Sequence, residues 1–598
     1  MNYSRGVIHQ AGMFGETRYR IGGGERMSDI DKLIDDFTDY DSEAVRLATI
    51  DALVKYNINE TKNGGIELTD TQDLLKQRYY HLGENTWEEL SSRVANFIYP
   101  DSKWLANSLC DAIANKKFVP STPVLANAGS PVPMLCSCFV VPVPDDMAGI
   151  MKSLTDTVMI QKYGGGVGLD FSNIRAEGSP VKTTNGKASG PVSFMGLWNT
   201  AMNVVKQGGK RQGALMGGLS VHHPDLYHFI KAKKIEGKLT NLNISVAMDK
   251  KFFDDLESES QNPYACGFTP NQILDEIAYN IWRNGEPGML FLDNINENNP
   301  YGIPITVTNP CGEIPTPPYG ACVLGSINLN FCLDFKGKFW VLSYDKLRQL
   351  VNLGVNALNG VLDKTWWPLP ETAKFENAFR PIGLGVMGLA DIMAKLGVVY
   401  GKSDEFLHKL FSAIRQMAID AARCYVISML KPFNRTVLSI APTGSIAQLA
   451  GCSYGIEPYF AMAYKKVVAA GVFYKEVQTL SEVLKARGIE YTDADRQIVL
   501  NTGSVQQTNL PDDIKLIFRT ATEIPWEEHL LVQAAIQSHV DNSVSKTINL
   551  SYSTTVEEIK KIIILAHKMK LKGFTMYRQN SRNVEVMVNA CPSGKCEI

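Results

Sequence analysis

The densest chemistry in this chain lies in Asn309-Pro-Cys-Gly-Glu313, followed by Cys322. Five residues supply an amide, a thiol and a carboxylate. If 309–313 runs extended, side chains alternate in direction, so Asn309, Cys311 and Glu313 share one face and Pro310 and Gly312 point away. That face would carry a hydrogen-bonding amide, a sulfur able to serve as radical or nucleophile, and a carboxylate able to take a proton. Such a set suits a hydroxyl-bearing substrate. The competing reading is a loop in which Pro310 and Gly312 make a turn and Cys311 is a small buried hydrophobe.

Other thiols sit where they could join this chemistry. Met134-Leu-Cys-Ser-Cys-Phe-Val-Val141 has strand propensity, and a period of two puts Cys136 and Cys138 on one face. One of them could partner a distant thiol, or both could be buried strand cysteines, and spacing does not choose. The chain ends Cys591-Pro-Ser-Gly-Lys-Cys596-Glu-Ile598, a cysteine pair that reads as a thiol–disulfide arm. No CxxC, HExxH or Cys/His cluster has zinc-site spacing among the eleven cysteines, so no protein-bound metal is expected.

Two stretches could handle an anion. Tyr163-Gly-Gly-Gly-Val-Gly168 allows positive φ and close approach of N–H groups to a phosphate or ribose, with a tight barrel turn as the alternative. Val437 to Ile446 reads as a strand ending in a Pro442-Thr-Gly-Ser turn that opens a helix. Hydroxyls and free N–H groups there would bind an anion, or Thr443 or Ser445 would simply cap the helix. The Gly-rich 206–218 stretch places Lys210 and Arg211 in a loop suited to lie near a nucleotide, or simply to face solvent.

The elements that must position these residues follow from periodicity. Residues 1–26 are Gly-rich and patternless, a flexible arm. Residues 27–115 read as an N-terminal helical region, from Ile30, Leu33, Ile34 and Phe37 and then Leu90, Val94, Phe97 and Ile98. From 116 to 580, strand-like runs (LTNLNISVAM, GMLFLD, PITVTNPCGE, GSINLN) alternate with helices around 148–161, 270–283, 344–361 and 406–430. That fits one large α/β barrel or sheet better than several small domains. Val556 to Lys572 is an amphipathic helix stopped by Gly573, with a strand at Phe574–Arg578, and 581–598 is a flexible tail. The chain has 598 residues, 45% of them hydrophobic, enough for a large core. A net charge of −2 gives no field for nucleic acid or anionic membrane. No secretory h-region and no apolar run of membrane-spanning length occurs, so a soluble cytoplasmic protein is expected.

Taken together, PSTPVLANAG, CSCFV, GGGVGLDFSNIR, KQGGKRQGA, NPCGE, CVLGSINL, RPIGLGVMGLAD, APTGSIA and the terminal cysteine pair resemble the catalytic subunits of ribonucleotide reductases, over roughly residues 70–598. HHPDLYHFI, LTNLNISVA, GEPGMLFLD and KGFTMYRQNSR look closest to the adenosylcobalamin-dependent class. Where the iron- or manganese-dependent class has paired tyrosines, this chain reads Met576-Tyr577-Arg578, and no RxxGY-like glycyl-radical segment stands near its end.

The resemblance implies a ten-stranded α/β barrel with the Cys311 loop as a central finger. It implies a Cys311 thiyl radical, generated through adenosylcobalamin, that takes hydrogen from the ribose C3′. Glu313 would be general base and Asn309 the hydroxyl clamp. Cys138 and Cys322 would be the thiol pair that ends as a disulfide, with Cys136 the lesser candidate. Cys591 and Cys596 would re-reduce that pair, and thioredoxin or glutaredoxin would reduce the tail. Pro442, Thr443, Gly444, Ser445 and Ile446 would hold the substrate phosphates with Thr122 and Ser137, and Gly166 would approach the ribose. Asp145 and Arg175 match effector positions for a dNTP or ATP at a homodimer interface, with Lys210 and Arg211 in the signalling loop. A ribonucleoside diphosphate is the expected substrate. The alternatives are a large subunit of the iron- or manganese-dependent class needing a radical-generating partner, and a non-catalytic nucleotide-binding regulatory relative.

Overall fold

The computed structural model describes residues 75–581 except 77, 206–212, 235–236 and 469–470. The arm expected at 1–26, the helix-period stretch at 30–37, Lys210 and Arg211, and the tail with Cys591 and Cys596 lie outside the described residues.

The described chain opens with two helices, α1 (Trp87–Ile98) and α2 (Lys103–Ala114). Thr86 starts α1 with a capping box. Its hydroxyl accepts from Glu89 N at 3.1 Å, and the Glu89 carboxylate accepts from Thr86 N at 3.1 Å. Leu90, Val94 and Ile98 form the buried stripe that the spacing predicts.

Ten strands share one sheet: β1 (Phe118–Pro120), β2 (Cys138–Pro142), β3 (Gly166–Asp170), β4 (Leu215–Ser220), β5 (Leu242–Met248), β6 (Gly288–Phe291), β7 (Ala321–Asn328), β8 (Ile382–Met387), β9 (Thr547–Leu550) and β10 (Gly573–Arg578). Strands β2 to β6 run parallel in chain order. Helical crossovers join them, among them α3 (Met147–Lys162), α4 (Gly190–Val204) and α5 (Pro270–Asn284). β7 pairs parallel with β8, and β9 with β10. Antiparallel seams at β2/β7 and β6/β10 join the two halves.

The sheet closes through residues 437–441. Leu438 bridges to Leu384 of β8 and Ile440 to Val544 just before β9, both in parallel sense. Counting that segment, the ring runs β2 to β6, β10, β9, 437–441, β8 and β7. Ten members close the barrel, as expected, with β1 paired antiparallel to the later part of β7. The 437–441 stretch makes only these isolated bridges rather than the continuous strand its sequence predicts. β7 and β8 are buried at every position, as strands sealed inside by the barrel core and outside by helices must be. α6 (Tyr344–Lys364) packs on both. Two further helices, α7 (Pro370–Phe379) and α8 (Asp404–Met429), precede the segment in the chain. Near the end, α10 (Val556–Lys568) is preceded in the chain by the short α9 (Gly444–Ala450) of the closing turn. α10 stops before Gly573: Met569 caps it, Lys570 takes φ +63°, and Gly573 already begins β10.

A finger of chain enters the barrel between β6 and β7, and glycines make room for it. A Cβ on Gly168 of β3 would stand 1.8 Å from the Thr308 carbonyl oxygen, and one on Gly218 of β4 would stand 3.0 Å from Val307. The Gly-rich stretch is therefore neither wholly a turn nor a bare anion cradle. Gly164, at φ +101°, makes the turn, and Gly166 to Gly168 are strand residues against which the finger lies.

Candidate active site

The finger tip is a turn and not the extended run that puts three side chains on one face. Thr308 and Pro315 pair as an antiparallel bridge, Asn309 N donates to Ile314 O at 3.2 Å, and Gly312 N donates to Asn309 O at 3.1 Å. Gly312 sits at φ +82°, a conformation that a side chain would disfavour. The chain thus reverses within five residues. Asn309 and Glu313 become neighbours at the base of the hairpin, and Cys311 occupies its tip. Asn309 and Glu313 are buried, whereas Cys311 is exposed.

The base of the finger is tied to the strand that carries the second thiol. Asn309 Nδ2 donates to Glu313 Oε2 at 2.8 Å and to Cys138 Sγ at 3.1 Å. Ile314 N donates to Asn309 Oδ1 at 2.9 Å, which fixes the amide's orientation. Cys138 Sγ faces Glu313 Oε1 at 3.8 Å. The Glu313 carbonyl accepts from Ser439 Oγ at 3.0 Å and from Ser543 N at 2.9 Å, so the closing segment of the barrel anchors the finger. Burial pushes the Glu313 carboxyl above the usual carboxylate range, against the opposing pull of Asn309 and Cys138. Burial, followed by the Glu313 charge, pushes the Cys138 thiol well up.

Sheet register places the other thiol. Cys138 and Cys322 are Cα partners across the antiparallel β2/β7 seam. Both are buried, packed with Ile314 and Leu324. Cys136 precedes β2 rather than sharing a strand face with Cys138. It is fully buried, and its Sγ donates to the carbonyls of Cys322 (3.0 Å) and Cys138 (3.4 Å).

A cavity of ≈ 240 Å³ opens above the finger, and Cys138, Asn309, Cys311 and Glu313 all line it. Thr122, Ser137, Gly166 and the whole turn Pro442–Ile446 line it too, so every residue expected to bind substrate faces one space. In that turn Thr443 takes φ +56° at the start of α9 and does not cap the helix. Its hydroxyl accepts instead from Gly455 N at 2.7 Å. Cys322 is not among the lining residues. Asp145 and Arg175 stand apart from this cavity and pair with each other, Arg175 Nε donating to Asp145 Oδ2 at 2.8 Å on a partly exposed surface.

Cys311 also borders a second, smaller cavity of ≈ 40 Å³ on its other side. Met216, Met289 and Phe574 line it together with Ser245, Ser545, Thr575 and Lys546. Among the described residues, none that lines either cavity is a tyrosine. Sequence reasoning missed Ser439, Ser543 and Lys546. The side chain of Lys546 is completely buried, its Nζ held by Glu457, by His529 at 3.0 Å and by Thr547 O at 2.7 Å. Nothing local to these residues announces such roles, because strand closure creates them. Among the described residues, no three His, Cys, Asp or Glu side chains are grouped to hold a metal ion, and no helix is long and apolar enough to cross a membrane.

A closed ten-member α/β barrel with a thiol-tipped hairpin inside it defines a class of protein. The same fold is found in the class Id ribonucleotide reductase alpha subunit of Actinobacillus ureae, with a TM-score of 0.73 at 21% identity, over 86% of this chain and 97% of that one. Residues 136–272, 267–424 and 432–577 match the ribonucleotide reductase barrel domain, and residues 71–133 match its all-alpha domain. The chain belongs to the ribonucleotide reductase large-subunit family. It is 38% identical to a vitamin B12-dependent ribonucleoside-diphosphate reductase of Thermoplasma acidophilum, over 80% of this chain and 66% of that protein's length. It is 35% identical to a like-named protein of Mycobacterium tuberculosis, over 82% of this chain and 74% of the relative. A ribonucleoside-diphosphate reductase large subunit of Variola virus is 28% identical over 73% of this chain and 67% of its own length.

Proposed function

We propose that this chain is a ribonucleoside-diphosphate reductase that makes 2′-deoxyribonucleotides by thiyl-radical chemistry, with adenosylcobalamin as its radical source. The observation that carries the reading is the Asn309 amide, which joins the Glu313 carboxylate and the Cys138 thiol in the cavity that Cys311 also lines.

Cys311, as a thiyl radical, takes the C3′ hydrogen of the ribose. Glu313 accepts the 3′-hydroxyl proton, a task its raised pKa suits. Asn309 orients the hydroxyls. Cys138 faces the leaving 2′-hydroxyl and donates its proton. Two electrons come from Cys138 and Cys322, which close as a disulfide, and Cys591 and Cys596 of the tail reopen it by exchange, supplied by thioredoxin or glutaredoxin. The turn Pro442–Ile446 holds the phosphates, aided by Thr122 and Ser137, and Gly166 leaves room for the sugar. Asp145 and Arg175, with Lys210 and Arg211, belong to an effector site for a dNTP or ATP in a homodimer. The parts are a helical region at 27–115, a barrel at 116–580 and a redox tail at 581–598, in a cytoplasmic protein.

The lining of the second cavity suits the cofactor's nucleoside end, for which its ≈ 40 Å³ would have to open. Met216, Met289 and Phe574 offer apolar faces for a planar base, and Ser245, Ser545 and Thr575 offer hydroxyls for a sugar. When bound there, adenosylcobalamin supplies the hydrogen-atom acceptor that the Cys311 thiol needs. The vitamin B12-dependent names of the relatives at 35–38% identity support this source over a protein-borne relay. The test is CDP reduction by the purified chain with dithiothreitol and an effector dNTP, with and without adenosylcobalamin. Turnover that needs the cofactor and no second protein upholds the proposal. Rescue only by a metal-containing partner subunit moves the chain to the iron- or manganese-dependent class and leaves the Cys311 chemistry in place.

A further inference from the structure

Glu313 lies 3.8 Å from the Cys138 thiol, and a second buried carboxyl, which the function above does not use, is bonded to the backbone just before Cys322. Glu313 serves Cys138. The second carboxyl belongs to Glu376 of α7, which is 1% exposed. Its Oε1 accepts from the backbone N of Ala321, the residue before Cys322, at 3.0 Å. Its Oε2 is buried with no hydrogen-bond partner. An uncompensated buried oxygen of this kind is costly in a structural carboxylate and calls for an explanation.

Arg380, one turn further along the chain, does not neutralise it. The Arg380 guanidinium is turned to Asp363 (2.7 Å) and Asn359 (3.1 Å). The titratable groups that face Glu376 are Arg380, the thiols of Cys136 and Cys322, and Tyr301, whose ring packs against Phe375 and Phe379. Burial raises the Glu376 carboxyl well above its ordinary value, which favours its protonated form. Burial above all, and then the charges that Cys136 and Glu376 carry when ionised, push the Cys322 thiol well up.

The pair is also asymmetric in access. Cys138 lines the substrate cavity and Cys322 does not. A reducing thiolate that enters by the cavity meets Cys138 sulfur first, and Cys322 is then the leaving sulfur, in a buried apolar cluster with Ile314 and Leu324. A thiolate expelled there lacks solvent to stabilise it.

We propose that Glu376 gives its proton to Cys322 Sγ when a Cys138–Cys322 disulfide is opened by a dithiol that attacks Cys138 from the cavity. The incoming thiolate bonds to Cys138 sulfur, the Cys138–Cys322 bond breaks, its electron pair goes to Cys322 sulfur, and the Glu376 proton follows. The second thiol of the reductant then closes the reductant's own disulfide and passes its proton to Cys138, leaving Glu376 ionised until solvent returns a proton. The inference rests on the reading of Cys138 and Cys322 as a redox pair.

The test needs neither nucleotide nor cofactor. The full chain is oxidised, and reduction of the Cys138–Cys322 disulfide by dithiothreitol is followed by quenching, alkylation and peptide mass analysis across pH. Glu376→Gln is expected to slow reduction tenfold or more, within the roughly 10²–10⁴-fold reach of general acids. It should also remove the decline in rate expected of wild type as pH rises through the Glu376 pKa. Glu376→Asp should restore part of the rate. An E376Q rate and pH profile equal to wild type overturns the proposal. Should E376Q not fold, the Asp variant and a labelling pair still decide. Cys138 in C322S should capture a small aromatic disulfide readily and Cys322 in C138S should not, and equal labelling overturns the order of attack. Failure of the disulfide to form at all rejects the redox pair itself. A reducible disulfide indifferent to Glu376 rejects only this inference.

Discussion

The finger tip and the thiol pair are assembled by opposite means. Asn309, Cys311 and Glu313 owe their arrangement to one hairpin closed between Thr308 and Pro315, so the geometry is written within a few residues. Cys138 and Cys322 owe theirs to the register of β2 against β7, two strands far apart in the chain. A one-residue slip of that register would turn either thiol to the other face of the sheet. The turn presents an exposed thiol to the cavity and the sheet withholds a buried one from it. The difference matches the tasks proposed for them: one sulfur must meet a substrate carbon and a radical source, and the other must only be reached through its neighbour.

Substitutions that separate the two regions test this division. Cys311→Ser should remove all turnover, including exchange of the substrate's C3′ hydrogen, while leaving the Cys138–Cys322 disulfide as reducible by dithiothreitol as in wild type. Cys322→Ser should also stop deoxynucleotide formation but leave C3′ exchange running, read by isotope loss from labelled substrate. If both variants lose exchange equally, the two regions are not separable. Glu313→Gln should lower kcat by about 10²–10⁴-fold, the usual contribution of a positioned base. The pH profile gives a second reading of that variant. Glu313 acts when ionised, and its pKa is raised by burial, so wild-type kcat should fall on acidification at a pH above the ordinary carboxylate range. The Gln variant should lack that limb.

Much of the local region was legible in the sequence and little of the long-range one. Asn309-Pro-Cys-Gly-Glu313 displays an amide, a thiol and a carboxylate within five residues, and of its two backbone readings, extended run or turn, the structure takes the turn. Pro310 and Gly312 already offered the turn, and Gly312 at φ +82° takes it. The helix at Leu90–Ile98 and most strand–helix alternation followed from periodicity, because burial of one face repeats locally. Barrel closure did not, since residues 437–441 make isolated bridges only after β8 and the segment before β9 are in place. That Cys322 lies opposite Cys138 could not come from spacing, because it depends on the β2/β7 register. Glu376 carried no signal at all, because its surroundings exist only when α7 lies against the start of β7.

Gly168 probes the contact that seats the finger on β3. An added methyl would stand 1.8 Å from the Thr308 carbonyl oxygen, a backbone atom that cannot swing aside. Gly168→Ala should cost about 1–3 kcal/mol, as overpacking does, seen as a lower denaturation midpoint with unchanged slope. Because the finger must shift, kcat should fall with it. A stable variant with full activity would show that the finger does not rest on β3.

The smallest expected effect belongs to the turn that faces the finger across the cavity. Thr443 holds a left-handed backbone at φ +56°, and its hydroxyl accepts from Gly455 N at 2.7 Å. Thr443→Ala leaves that buried N–H without its acceptor, a loss of about 1–3 kcal/mol to the turn. The proposed role of this turn is to grip phosphates and not the reacting sugar. The variant should therefore raise KM for the diphosphate about tenfold, the equivalent of about 1.4 kcal/mol, and leave kcat near wild type. Uniform binding lost with chemistry intact is what a remote anchor predicts. A fall in kcat at unchanged KM would mean instead that Thr443 acts on the transition state, and the phosphate site would have to be sought elsewhere along the cavity wall.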